Sequence, residues 1–577
     1  MRALALASFL SIGSLSCAPT QIGSWWLARQ LNTRPPEFAV QVERGATMMT
    51  SDGIALVSDI YHPKKEGPTP IILVRIPYSD TFLNKLYATV VGRFWAERGY
   101  RVIIQGTRGR YQSGGNYYPL RHERQDGIET LQWIAKQPWF DGRLGMWGGS
   151  YFGYTQWVVA DQVNPGPSAL MIQLSSVSFY EMLYPGGAFS LESALIWAIQ
   201  SYRDLDEWPS DEVLRPGYNG FPLLEADDRA FRDIPAFNDW VIHSERDDYW
   251  REIDGDDRAK RLVAPVLLMA GWYDPFLPSQ LDDFVRIRRE ARPEIAAASR
   301  LVIGPWTHAR TVTFPDGTTP GNYRLASLAP SVPWFDRHLQ SSGMALNSPV
   351  QIYVMGENLW RDEQEWPLAR TRYIPYYLRG NGKANGLAGD GALMPAPPTS
   401  EEPSDSYIYD PRNPVPTAGG AMIGPRAGIA LQNDIEKRQD VLVYSTPSLK
   451  EDIEVTGPVR LILFVSTTAP NTDFTGKLVD VHPDGSVYNI SEGILRRRYG
   501  QSDRPTEIRI DFWPTSMLFR KGHRIRLEVS SSNYPRFDRN LNTGRPIATE
   551  TQSITATQTI YHDPKTPSYL ILPIIPR

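Results

Sequence analysis

Five short apolar runs, each followed by a turn, limit what this chain can fold into. They are Ile71-Ile72-Leu73-Val74, Val102-Ile103-Ile104, Leu144-Gly145-Met146-Trp147, Pro265-Val266-Leu267-Leu268-Met269-Ala270 and Leu301-Val302-Ile303-Gly304. Runs of this length bounded by Gly or Pro read as strands buried on both faces. Between them amphipathic stretches recur, with Ile128, Leu131 and Ile134-Ala135 repeating at helical spacing. Alternation of such strands and helices predicts an α/β unit with a mostly parallel sheet, over residues 38–170 and again over 263–347.

Residues 171–262 interrupt that unit with a different texture. Leu191, Ala194, Leu195, Ala198 and Tyr202 make a helical stripe, and Trp197, Trp208, Trp240 and Trp250 are scattered through charged sequence. This predicts an inserted helical cap, which either walls a pocket or is a structural embellishment. From residue 348 to 577 the helical period stops. Ile508, Ile510 and Phe512 alternate with Arg509 and Asp511, and Ile525, Leu527 and Val529 alternate with Arg524, Arg526 and Glu528. Short half-buried strands of this kind predict a C-terminal jelly-roll-like β-sandwich, with Pro483-Asp484-Gly485 as one hairpin turn. The Pro- and Gly-rich stretch from Pro395 to Gly428 is either an ordered excursion or a flexible loop.

Length and charge narrow the class. The 577 residues have room for about three or four domains. A composition of 41% hydrophobic and 21% charged residues excludes a disordered chain or a multi-span membrane protein. Sixty Lys and Arg against 64 Asp and Glu leave a net charge of -4, so nothing points to nucleic acid. Met1-Arg2 followed by the apolar run Ala3 to Ile12 reads as a secretory signal over residues 1–17, far short of the ~18 residues a spanning helix needs. Cys17 is the sole cysteine, which excludes an intramolecular disulfide and any thiolate metal site. Ser14-Leu15-Ser16-Cys17 resembles a bacterial lipoprotein processing site without the usual Leu three residues before the Cys. Two outcomes stay open, a lipid anchor at Cys17 in the outer membrane or plain cleavage near Cys17-Ala18. Either gives a secreted or periplasmic protein.

The sharpest chemical signal is Gly148-Gly149-Ser150-Tyr151-Phe152-Gly153, between a strand and a helix expected over 155–160. A serine on a tight strand-to-helix turn needs small neighbours, and the turn lifts its hydroxyl toward a helix N-terminus that favours the anion of acyl transfer. The second glycine lies at Ser+3, where the common elbow has it at Ser+2. Alone, such a turn serves as often for a tight loop or a phosphate cradle. A hydroxyl attacks only when an imidazole takes its proton and a carboxylate fixes that imidazole. Two segments supply these groups in the order Ser, Asp, His. Gly271-Trp272-Tyr273-Asp274-Pro275-Phe276 and Gly304-Pro305-Trp306-Thr307-His308 both leave strand C-terminal ends, where open α/β sheets place their sites. Asp274 on its own would read as a turn-capping carboxylate.

Together these motifs resemble the cocaine esterase and X-Pro dipeptidyl-peptidase group of α/β-hydrolases. Arg75-Ile76-Pro77-Tyr78, Gly106-Thr107-Arg108-Gly109-Arg110 with Ser113-Gly114-Gly115, and the cap segment Gly186-Gly187-Ala188-Phe189 are similar to further motifs of that group. In the sandwich, Leu478-Val479-Asp480-Val481 and Gly493-Ile494-Leu495-Arg496 extend the resemblance from residue 42 to the C-terminus. It implies a serine hydrolase with Ser150, Asp274 and His308 as triad, and an oxyanion hole made by the Tyr78 hydroxyl and the backbone N–H of Tyr151. Relatives that act on α-amino acid esters carry acidic residues two and three positions after the triad aspartate. Here Phe276 and Leu277 stand there, and an apolar wall leaves a buried ammonium unpaired. The resemblance further implies that Phe276 and Trp197 line the acyl pocket, with core packing as the alternative for both. The expected substrate is thus a small-molecule ester or activated amide of a small apolar acid. An acylase or X-Pro-type peptidase is the enzymatic alternative, and a non-catalytic carbohydrate- or surface-binding protein on a hydrolase scaffold is the other. No metal or cofactor is implied, and oligomeric state is left open.

Overall fold

In the computed structural model, residues 18–203, 207–255, 257–342, 348–499 and 505–576 are described; the leader and Cys17 lie outside them. Ten strands form the first sheet: β1 (Val40–Met49), β2 (Ala55–Pro63), β3 (Thr69–Ile76), β4 (Arg101–Gly106), β5 (Phe140–Gly149), β6 (Ala169–Gln173), β7 (Val266–Tyr273), β8 (Arg300–Thr307), β9 (Val350–Val354) and β10 (Leu359–Glu363). Their spatial order is β1-β2-β4-β3-β5-β6-β7-β8-β9-β10. From β4 to β9 every neighbouring pair is parallel, and the two edges are antiparallel. All five apolar runs read from the sequence are strands of this sheet.

The apolar runs work on both faces at once. In β3, buried at every position, Ile71 and Leu73 enter one core with the cap while Ile72 and Val74 enter another with the helices Phe82–Ala96 and Ser331–Leu339. Gly145 in β5 lets that second layer close, since a Cβ there would lie 2.7 Å from the Phe335 ring.

The insert begins later than its composition suggests. Residues 171–173 complete β6, so the boundary at 171 falls inside a strand. Short helices follow from Tyr180–Leu183 to Asp248–Ile253. In Leu191–Tyr202 the stripe read from the sequence is buried except at its end, and Trp197 stacks on Trp240 with ring centroids 4.8 Å apart.

The all-β domain also starts later than residue 348. Val350–Val354 pairs parallel with β8, and Leu359–Glu363 folds back on it, so both strands finish the first sheet. Alternation identifies a strand without saying which sheet it joins. From Arg372 onward the strands form a second, 13-stranded sheet around their own core, including Leu463, Phe474, Leu527 and Leu570. The hairpin at Pro483-Asp484-Gly485 is present, joining Asn471–Val481 to Val487–Arg498. The stretch from Pro395 to Gly428 is an ordered excursion. It contributes the strand Asp405–Tyr409, and its end docks on the cap, where the Ile423 N–H donates to Ser193 Oγ at 3.0 Å and Arg426 pairs with Glu192. Cap and all-β domain also meet at Gly186, where a Cβ would clash with the Ile494 carbonyl.

No ligand cluster is evident along the chain, yet Asp480, His482 and His523 offer ligand atoms within 4.8 Å of one another, because strand pairing joins positions some forty residues apart. Among the described residues no helix is long and apolar enough to cross a membrane.

Candidate active site

Ser150 sits at the C-terminal end of β5 with φ 55° and ψ -127°, a conformation that costs a non-glycine residue about 1–3 kcal/mol. The surroundings hold it there. Its N–H donates to the Gln173 carbonyl at 2.8 Å, and its carbonyl accepts from Gly153 and Tyr154 at 2.9 and 3.1 Å. The glycines explain the unusual spacing of the motif. A Cβ on Gly148 would fall 2.4 Å from that of Phe152, and one on Gly153 would fall 2.6 Å from that of Ser175. Position Ser+2 is thus free to carry a ring, and Phe152 packs on Tyr78 at 5.5 Å.

The strands β7 and β8 deliver the other two groups. Their pairing shifts between Gly271 and Tyr273, and both Gly271 and Gly304 leave room for Trp306. Beyond β8 a tight turn, closed by Thr307 N–H to Arg310 O at 2.8 Å, carries His308 at its tip. His308 Nε2 lies 2.8 Å from Ser150 Oγ and Nδ1 lies 2.6 Å from Asp274 Oδ2. With Nδ1–H donated to the carboxylate, Nε2 is left as the acceptor for the serine hydroxyl. Asp274 is fully buried, and its other oxygen accepts the Phe276 N–H at 2.9 Å. It is therefore both the turn cap and the partner of His308.

Tyr78 follows β3 and is half-buried beside Ser150. Burial pushes its phenol up to about 12, countered by the neighbouring Ser150 and Trp197 side chains, so it stays neutral and able to donate near neutrality. Tyr151 is the first residue of the helix Tyr151–Trp157, where a backbone N–H has no intrahelical acceptor. Its side chain points away from that duty. The buried hydroxyl donates to Glu123 and accepts from the Leu120 N–H at 2.7 Å. Burial raises the Glu123 carboxyl, countered by Tyr151 and the buried Arg75.

Residues 52–310 match the X-Pro dipeptidyl-peptidase (S15) family, and residues 342–571 match the X-Pro dipeptidyl-peptidase C-terminal non-catalytic domain. The cocaine esterase of Rhodococcus sp. (strain MB1 Bresler) is 38% identical over 572 residues, spanning 91% of this chain and 97% of that protein. The chain belongs to the cocaine esterase and X-Pro dipeptidyl-peptidase group. Two solved structures share its whole fold. An aminopeptidase from a marine sediment Thaumarchaeota archaeon superposes with a TM-score of 0.76 at 24% identity, covering 94% of this chain and 97% of that one. An α-amino acid ester hydrolase does so with 0.75 at 22%, covering 93% and 96%.

In this S15-family hydrolase the cap brings aromatic rings close to Ser150 and His308. Phe276 is buried and lies 5.7 Å from the His308 ring and 5.2 Å from Phe179. Phe179 in turn lies 5.7 Å from Trp197, whose ring meets Tyr151 edge-on at 5.7 Å. The sequence reading missed Phe179, since a lone aromatic in the insert carries no periodicity. It also missed what holds that ring. Asp283 accepts from Ser176 Oγ and the Val177 N–H at 2.8 and 3.0 Å, and Asp254 accepts from the Phe179 N–H at 2.7 Å. Trp513 was missed as well. From the all-β domain its indole N–H donates to the Asp274 carbonyl at 3.1 Å.

Proposed function

We propose that this enzyme hydrolyses esters of small apolar or aromatic acids through an acyl-enzyme on Ser150. The observation that carries the reading is the continuous hydrogen-bonded relay Ser150–His308–Asp274 at the C-terminal edge of the parallel strands. In the first step Ser150 Oγ attacks the ester carbonyl carbon while its proton passes to His308 Nε2. Asp274 holds the tautomer and stabilises the imidazolium. The carbonyl oxygen becomes an oxyanion, which the Tyr78 hydroxyl and the Tyr151 N–H bind without adding net charge. His308 then protonates the leaving alkoxide, the C–O bond breaks, and the acyl group remains on Ser150. Water, deprotonated by His308, reverses the sequence and frees the acid.

Acyl preference follows from the rings. Phe276, Phe179 and Trp197 are buried apolar rings beside His308 and Tyr151, and the carboxyl groups of Asp283 and Asp254 are spent on the loop that carries Phe179. An α-ammonium would find no counter-charge at positions 276 and 277 and would be desolvated at a cost of several kcal/mol. The name of the Rhodococcus relative accords with an ester substrate. The test is a panel of p-nitrophenyl esters of increasing acyl length, with the benzoyl ester, run beside aminoacyl p-nitroanilides. Faster cleavage of the esters is expected. Faster cleavage of the anilides would favour a peptidase.

A further inference from the structure

The cluster at the tip of the Asn471–Val481 and Val487–Arg498 hairpin belongs to neither the triad nor the ring wall. Asp480 and His482 flank Val481, and His523 immediately precedes the strand Arg524–Ser530. Antiparallel pairing of Asp480 with Ile525 and of Val481 with Arg524 carries His482 and His523 alongside each other, and their rings stand 4.4 Å apart. Below them the buried Asp480 carboxylate lies 3.3 Å from His482 Nε2 through Oδ2, and 2.9 and 3.0 Å from His523 Nδ1 through its two oxygens.

We propose that Asp480, His482 and His523 form a binding site for a borderline transition-metal dication of the Zn²⁺ class. The donor set decides the class. Two imidazoles and one carboxylate suit zinc and its first-row neighbours, whereas calcium and magnesium take oxygen ligands. Distances agree with this. Tetrahedral coordination at zinc–nitrogen distances of about 2.0–2.1 Å puts neighbouring donors roughly 3.3 Å apart, close to the 3.3 and 2.9 Å that separate the Asp480 oxygens from His482 and His523, and all three donors lie within 4.8 Å of one another. Access agrees too, because the His482 and His523 side chains are 27% and 15% exposed above a carboxylate that is 1% exposed. Three protein ligands leave a position for water, and Asp484 in the turn adds negative charge next to His482. The bound ion would pin the hairpin tip to the strand that follows His523, so its effect belongs to the stability of the all-β domain.

Calorimetric titration of chelator-treated, dialysed full-length enzyme with Zn²⁺ tests this, repeated on His523→Ala and on His482→Gln. The second substitution lies at the rim and serves if the first disturbs folding. Wild type is expected to take up one equivalent that each variant binds about 10–100-fold more weakly or not at all, with a Zn²⁺-dependent rise in Tm lost in parallel. Ester hydrolysis by metal-free wild type and by both variants is expected to be equal, which separates failure of this site from failure of the triad. Absence of uptake by wild type, undiminished uptake by both variants, or equal uptake of Mg²⁺ would each overturn the proposal.

Discussion

At the scale of single residues, Tyr78 divides transition-state from ground-state binding most cleanly. Its phenol is raised to about 12 by burial and remains neutral, so it can donate to an oxyanion without titrating in the working range. Tyr78→Phe is expected to lower kcat about 10²–10³-fold with little change in KM and no change in the shape of the pH–rate profile. Steady-state kinetics from mildly acid to mildly alkaline pH check this, and a rise in KM at constant kcat would make Tyr78 a substrate contact only. Phe276 has two possible duties, and one mutant separates them. If its ring walls the acyl pocket, Phe276→Ala should cut kcat/KM for the preferred ester about 10–200-fold while bulkier acyl groups lose less. Melting and an ester panel on the same protein decide, because a lowered Tm with an unaltered acyl profile would assign the ring to packing.

Elements explain what those residues rest on. The loop after β6 carries Phe179 to the site because Asp283, on the helix Leu277–Glu290, accepts from Ser176 and Val177. Burial pushes the Asp283 carboxyl up to about 8 from 3.8, so the folded chain keeps a proton that the unfolded chain releases. This contribution to stability is complete below the unfolded value and is lost as pH rises through the folded one. Asp283→Asn is therefore expected to flatten the fall of Tm between about pH 5 and 8, and an unchanged slope in thermal melts would exclude this carboxyl as its source. The same scale shows why sequence reading went as far as it did. The strands β3, β4, β5, β7 and β8 were legible because double-sided burial leaves unbroken apolar runs, and Ser150, Asp274 and His308 because each sits in a local glycine-bearing turn. Phe179 and its two carboxylate anchors were not, since nothing within the loop marks which face it presents. The expected helix over 155–160 begins earlier, at Tyr151, because Ser150 supplies the first carbonyl of its ladder.

Across the whole molecule, the first sheet and the all-β domain meet beside Asp274. Trp513 reaches the Asp274 carbonyl, Tyr273 donates to the Asn489 carbonyl at 3.1 Å, and Arg310 donates to the Pro425 and Ala427 carbonyls of the excursion. Contacts between residues hundreds of positions apart depend on how two sheets dock, and neither Trp513 nor the Asp480, His482 and His523 cluster carries a local sign of its partners. The boundary at 348 was misplaced for a related reason, since a strand's pattern is the same in either sheet. Trp513→Phe keeps an aromatic face under Arg536 in a smaller ring and removes one hydrogen bond, worth about 0.5–1.5 kcal/mol. It is expected to lower kcat a few-fold while the acyl preference stays fixed, and full activity in kinetic assays would show that Asp274 is held without it. The central claim, that Ser150 Oγ carries the acyl group, is tested most directly by mass spectrometry of enzyme quenched during turnover of p-nitrophenyl benzoate. A benzoyl adduct on the peptide containing Ser150, absent together with about 10⁶-fold of the activity in Ser150→Ala, is the expected result; an adduct elsewhere, or substantial turnover by Ser150→Ala, would contradict it.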